Sequence, residues 1–232
     1  MKIFLQKLWR IIKRIVIWFF ILSIASAILF RFIPIPFTPL MVIRSVEQLF
    51  DNTRNVNFEK EWVSSGSIST AMKLAVIASE DQSFEEHFGF DLKAIQKAQR
   101  YNERHNGKKM KGASTISQQT AKNVFLWPSR SWIRKGFEVY FTFLIEICWS
   151  KERIMEVYLN VIEMGDGVYG AEAAAQKFFN KPASKLAVRE AALIAAVLPN
   201  PRKWSPAKPT SYIQRRQLRI VRAMSKLPDL SF

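Results

Sequence analysis

Residues 70–79 read TAMKLAVIAS, and the spacing of their apolar positions decides the fold class. Ala71, Leu74, Ala75 and Ala78 stand at relative positions 0, 3, 4 and 7, which is one face of an α-helix. Downstream the same period recurs. Leu92–Arg104 is a polar helix with Asp91 placed as its N-cap. Ser114 can cap a helix running through Asn123, Ser131 a long one from Trp132 to about Trp149, and Ser150 one over Lys151–Val161. Val168–Phe179, Lys185–Val197 and Ser211–Lys226 complete the set, with Pro182, Pro199, Pro201, Pro206 and Pro209 between them. The fold class read from this pattern is all-α, in one domain. Residues 40–68 admit two readings: MVIRSVEQLF suits a helix and NVNFEKEWVS an extended pair.

Upstream, Ile15–Phe30 (IVIWFFILSIASAILF) carries no charge. As a helix it spans about 24 Å, a little short of the roughly 30 Å hydrocarbon core. Arg14 and Arg31 can snorkel to the two interfaces. Lys2, Lys7, Arg10, Lys13 and Arg14 precede the run and no acid occurs before Glu47, so the positive-inside rule puts the N-terminus in the cytoplasm. A cleaved signal peptide needs small residues just after the run; Ala25-Ser26-Ala27 lies inside it. The segment therefore reads as an uncleaved, single-pass anchor over residues 15–33. A basic cytoplasmic segment (1–14) precedes it, and a proline-marked linker and membrane-proximal region (34–66) follows.

The chain has 232 residues, a net charge of +16 and 49% hydrophobic residues, which excludes a disordered chain. The single Cys excludes an internal disulfide. His87, His105 and Cys148 lack zinc-ligand spacing, so no metal site is expected from them. Removing residues 1–31 takes away six basic residues and no acid, lowering the charge from +16 to +10. A basic domain usually meets nucleic acid. An outward-facing anchor argues against that partner and for anionic headgroups or a lipid-linked phosphate.

Two motifs fail on context. Gly165-Asp-Gly-Val-Tyr-Gly170 matches a dinucleotide fingerprint, but a helix rather than a strand precedes it. These glycines instead end one helix and turn the chain closely into the next. Ser205-Pro-Ala-Lys208 matches SxxK but sits among prolines with no SDN or KTG after it.

Three clusters hold. An apolar helix delivers Glu80 at its end, beside Asp81, where burial raises a carboxyl pKa and neighbouring cations lower it. That tuning makes a usable base; the plain alternative is a solvated acidic turn. Thr115, Gln118, Gln119 and Lys122 share one helix face at i, i+3, i+4, i+7, suited to a sugar or phosphate, or simply to solvent. Arg130, Arg134 and Glu138 run at i, i+4, i+8 with Lys135 beside them; three cations on one side can bind a diphosphate, or Arg134 and Glu138 are an ordinary helix pair.

Taken in order, Glu80-Asp81-x-x-Phe84-x-x-His87-x-Gly89, Gly112-Ala-Ser-Thr-Ile-x-Gln-Gln-x-x-Lys-Asn123, Arg134-Lys135-x-x-Glu138 and Lys151-Glu-x-Ile-x-Glu156-x-Tyr-Leu-Asn160 with Gly165 resemble the motifs of the peptidoglycan glycosyltransferases, family 51 of the glycosyltransferases. The likeness runs from about Ser67 to Pro206 and includes Leu198-Pro-Asn-Pro201. Because the sequence ends at 232 without a transpeptidase domain, it resembles the monofunctional, membrane-anchored form of the Gram-negative envelope.

The resemblance implies a lysozyme-like helical domain over residues 67–232, periplasmic and tethered to the inner membrane, that polymerises lipid II. It implies Glu80 as the general base and Glu138 as the second family carboxylate, near the substrate phosphates. Lys122, Arg130, Arg134 and Lys135 would face the diphosphate leaving group. Ser114, Thr115, Gln118 and Gln119 would position the sugars, with Asn123 in the same motif and Asp81 orienting the neighbours of Glu80. Metal dependence differs within the family, so the resemblance leaves Mg²⁺ or Mn²⁺ open and names no ligands. The expected partners are lipid II, the growing glycan strand, membrane lipids and other cell-wall synthesis proteins. Asn123-Val-Phe-Leu-Trp127 falls where the family's membrane-dipping lobe is expected; ordinary core is the alternative. Two other functions fit parts of the pattern. A lysozyme-like hydrolase would use one Glu as an acid but has no diphosphate to bind. A non-enzymatic membrane adaptor would need neither carboxylate.

Overall fold

The computed structural model describes residues 2–50, 57–105, 111–129 and 131–232, with side chains from Phe4 onward. Residues up to Pro34 form one unit and Ile35–Phe232 another.

The first unit is helix α1, Lys2–Phe32. Its segment Phe4–Phe32 is long and apolar enough to cross a membrane. The helix begins well before Ile15, so Lys7, Arg10, Lys13 and Arg14 are helical too.

The second unit is helical, with one small sheet. The open question over residues 40–68 resolves into both elements. Pro39–Leu49 is helix α2, started by the Thr38 side chain accepting from the Met41 N–H and by Pro39 at the first turn. Glu59–Lys60 is a short strand, β1. Then come α3 (Thr70–Glu80), α4 (Leu92–Arg104), α5 (Ile116–Phe125), α6 (Trp132–Cys148) and α7 (Lys151–Val161). A hairpin of β2 (Glu163–Gly165) and β3 (Val168–Tyr169) leads to α8 (Ala171–Phe179), α9 (Val188–Val197) and α10 (Ser211–Met224). The sheet order is β1-β3-β2, parallel then antiparallel.

Three helix starts follow the sequence: Asp91, Ser131 and Ser150 each accept a backbone N–H from the third residue on. Three readings need correction. The cap of α5 is Thr115, not Ser114, because Thr115 and Gln118 close a reciprocal capping box. Val168 and Tyr169 are strand, not helix, because β1 offers them a backbone partner. Lys185 ends a 3₁₀ turn, Ala183–Lys185, and α9 starts at Val188.

α3 is also more enclosed than a single face allows. Met72, Lys73 and Ala75–Ala78 are buried while Ala71 and Leu74 are only half-buried, because α9 and α10 both pack on it. Buried Lys73 is satisfied by donating to Ser65 Oγ at 2.9 Å. α5 packs against α2, α6 and α7, which makes it the central strut of the other half. The hairpin glycines do turn one helix closely into the next. Gly167 has φ +71°, and a Cβ there would stand 2.0 Å from the Asn57 carbonyl oxygen.

Candidate active site

The loop after α3 is built to hold its own shape. Phe84 is fully buried, and His87 Nε2 lies 2.9 Å from Asp81 Oδ1. Asp81 Oδ2 accepts the Ile116 N–H at 2.9 Å, so a buried carboxylate sits on the positive end of α5. Thr115 Oγ1 donates to the Gly89 carbonyl at 2.7 Å, and Lys151 Nζ donates to the His87 carbonyl at 2.7 Å and to Glu146 at 2.8 Å. A side chain at Gly89 would meet Thr142 Cγ2 at 2.8 Å. The first motif is therefore a clamp joining α3, α5, α6 and α7.

That clamp presents Glu80 at the C-terminus of α3. Gln119 Nε2 donates to Glu80 Oε2 at 3.2 Å, and Ser79 Oγ donates to Oε1 at 2.9 Å. Arg216 of α10 donates to Ser79 Oγ at 2.9 Å and stands 3.5 Å from Glu80 Oε1. The buried Tyr158 hydroxyl donates to Gln119 Oε1 at 3.3 Å, which turns the amide NH₂ toward Glu80. Burial first, and then the charges of Glu80 and Asp81, hold the Tyr158 hydroxyl well above its ordinary pKa, so it stays a neutral donor. Glu80 lines a cleft of about 500 Å³ with Ser114, Lys93, Lys97 and Lys111.

Lys122 lies one turn beyond Gln119 on α5, about 4.5 Å along the axis. Burial pushes its ammonium below the usual lysine range; Glu138 is the leading opposing influence, Arg134 and Lys135 push the same way as burial, and Glu80 opposes it more weakly. One half-buried cation thus senses both motif carboxylates. Glu138, buried on α6, takes Arg134 Nη1 on Oε2 at 2.5 Å and Lys135 Nζ on Oε1. Lys122, Asn123 and Arg134 line a second cleft, of about 520 Å³, with Leu40, Arg44, Leu126 and Trp127.

The carboxylates do not fit a resident divalent ion. Both oxygens of Glu138 are held by cations, both of Glu80 by donors, and no group of three His, Cys, Asp or Glu comes together among the described residues.

Glu80 with its donors and the cluster of Lys122, Arg134, Lys135 and Glu138 lie within one matched stretch of the sequence. A family model described as Transglycosylase matches residues 47–225. The chain belongs to the transglycosylase family. A protein of Bacteroides thetaiotaomicron named biosynthetic peptidoglycan transglycosylase is 55% identical to it over 224 residues, covering 97% of this chain and 89% of that one. A protein of the same name from Bdellovibrio bacteriovorus is 53% identical over 230 residues, covering 97% and 91%. One from Pseudomonas entomophila is 50% identical over 228 residues, covering 98% and 95%. This chain is thus a glycosyl-transferring enzyme.

In this transglycosylase the expected site residues fall into three groups. Glu80 and Ser114 line the first cleft, with Gln119 bonded to Glu80; Lys122, Asn123 and Arg134 line the second, with Glu138 paired to Arg134 and Lys135. Asp81, Thr115 and Gln118 are buried and bonded to the clamp and the start of α5. Arg130 lies outside the described residues. The stretch 123–127 is mostly core, since Asn123, Val124 and Leu126 are buried and only Trp127, at its end, is exposed. The large exposed apolar surface belongs instead to α6, at Trp132, Ile133, Val139, Phe143 and Ile147. Ser79 and Arg216 had no sequence signal, and Tyr158 stood in the fourth motif without a role assigned to it. Arg216 is one of several arginines on a basic helix, and nothing local ties it to a residue 137 positions away.

Proposed function

We propose that this transglycosylase is a biosynthetic peptidoglycan enzyme that polymerises lipid II into glycan strands. One observation supports this most: Glu80, fixed by Ser79 and Arg216, is also held by Gln119, which lies one helical turn before Lys122 on α5, the helix that carries Lys122 into the cleft of Arg134. A base beside a nest of cations suits a sugar hydroxyl attacking a carbon that carries a diphosphate.

Glu80 takes the proton from the 4-hydroxyl of the acceptor's N-acetylglucosamine. The freed oxygen forms a bond to C1 of the donor's N-acetylmuramic acid as the C1–O bond to the diphosphate breaks. Undecaprenyl pyrophosphate leaves with the electron pair. Attack from the opposite face converts an α-linkage into a β-1,4 bond, with no covalent enzyme intermediate. Lys122, Arg134 and Lys135, with Arg130 assigned to the same group, meet the charge that grows on the leaving oxygen; preorganised charge is usually the largest catalytic contribution. Glu138 holds Arg134 and Lys135 in place. Ser114, exposed in the Glu80 cleft, contacts the sugars, while Asp81, Thr115 and Gln118 hold the clamp that aims Glu80.

We assign residues 15–33 to a single-pass anchor in the bacterial inner membrane, 1–14 to the cytoplasm, 34–66 to the membrane-proximal region and 67–232 to a periplasmic catalytic domain. The positive charges ahead of the apolar run support that orientation. A glycan hydrolase built on Glu80 is disfavoured because it has no use for three clustered cations. The test is incubation of the full chain in detergent with labelled lipid II. Polymer that a muramidase digests supports the reading; disaccharide products, or no turnover, overturn it.

A further inference from the structure

Arg44 lies three residues before the matched family segment and far upstream of the motifs, yet it shares a cleft with Lys122 and Arg134. Leu40 and Arg44 are i, i+4 on α2, so one face of that helix forms a wall of the cleft. Among the described residues, six buried side-chain atoms have no hydrogen-bond partner. Three of them belong to this cleft's lining: Arg44 Nε, Asn123 Nδ2 and Arg134 Nε. All three are donors, as an acceptor-only ligand requires. The rest of the wall is apolar, from Leu40, Leu126, Trp127 and Pro128.

We propose that Arg44 is a further ligand of the lipid diphosphate, and that Leu40 and Trp127 beside it take the first carbons of the prenyl chain. Cations and apolar side chains in one cleft select an amphiphile over a soluble sugar diphosphate or inorganic pyrophosphate. Arg44 is free to turn. Its Nη1 pairs with Glu47 at 2.5 Å, but Glu47 is 48% exposed, and a surface pair is weakly held. Its Nε stands 4.0 Å from Glu163 Oε2, too far for a hydrogen bond. A phosphate oxygen can replace Glu47 without stranding a buried charge. The inference rests on the diphosphate reading of this cleft and extends it to a residue outside the matched segment.

The test is calorimetric titration of the full chain in detergent with farnesyl diphosphate, alongside farnesyl monophosphate and inorganic pyrophosphate. The wild type binds farnesyl diphosphate most tightly. Arg44→Gln weakens it about ten-fold, the loss of one charge-assisted hydrogen bond, and Arg44→Lys recovers part of the affinity. Glu47→Gln, which removes only the surface partner, leaves binding unchanged. Equal binding by Arg44→Gln and the wild type overturns the role of Arg44, as does an equal loss in Glu47→Gln, which would make the residue structural. Should Arg44→Gln not fold, Arg44→Met decides: affinity equal to the wild type overturns the proposal, and a loss of about ten-fold supports it. Failure of the wild type to bind any probe instead removes the diphosphate reading itself, and Arg44's role with it.

Discussion

Replacing Glu138 by Gln separates what the buried carboxylate does for the fold from what it does for the cleft. Its side chain is 4% exposed, with Arg134 at 12% and Lys135 at 40%. Removing one member of a fully buried pair costs about 3–5 kcal/mol. Two features lower that figure here. Lys135 can turn into solvent, so its part shrinks to the roughly 0–1 kcal/mol of a surface pair. The Gln carbonyl oxygen still accepts from Arg134. A loss of about 2 kcal/mol is expected, nearly all of it through Arg134. For a unit of this size each kcal/mol moves Tm by about 2–4 °C, so Tm falls by roughly 4–8 °C. The variant also leaves Lys122, Arg134 and Lys135 without their shared counter-charge. Added pyrophosphate then raises Tm more in Glu138→Gln than in the wild type. Scanning calorimetry with and without pyrophosphate measures both effects. A fall under about 1 °C, or equal stabilisation by the anion, would refute the view that one carboxylate balances these cations.

Three further outcomes follow from the geometry. Lys122 binds its proton less tightly folded than unfolded, because burial disfavours the charge. Between its lowered folded pKa and the ordinary lysine value of 10.5 the unfolded chain holds more protons, so Lys122 makes stability rise with pH across that window; Lys122→Met abolishes that rise in denaturant titrations, and an unchanged slope would contradict the assignment. Gly167→Ala costs more than about 2 kcal/mol in chemical denaturation, since it adds a positive-φ penalty to a clash with the Asn57 backbone; a change under about 0.5 kcal/mol would show that the hairpin yields freely. Tyr158→Phe lets the Gln119 amide rotate away from Glu80, so turnover drops several-fold while KM for lipid II holds; a rise in KM alone would place Tyr158 with substrate instead.

Much of this arrangement was legible in the sequence because helices are local. Caps at Asp91, Ser131 and Ser150 depend on residues three positions away, and so did the delivery of Glu80 at the end of α3. The pairing of Arg134 and Lys135 with Glu138 was visible for the same reason. Long-range partners were not. Val168 and Tyr169 read as the start of a helix until β1, more than a hundred residues earlier, pairs with them. Thr115 and Ser114 are equally good caps by residue type; the reciprocal bond from Gln118 selects Thr115. Gln118 and Gln119 looked alike on one polar face, yet one closes the cap and the other holds Glu80. Arg44 and Arg216 carried no local signal because α2 and α10 reach the clefts only through packing on α5 and α3.

The central assignment is that Glu80 accepts the acceptor's proton. Glu80→Gln keeps the size of the side chain and one acceptor oxygen, so one of the Ser79 and Gln119 donors loses its oxygen and Tm should fall by no more than about 4 °C. Single-turnover incubation with labelled lipid II measures the chemical step directly. The folded variant makes no glycan; polymer formed at the wild-type rate would take the proton-accepting role away from Glu80.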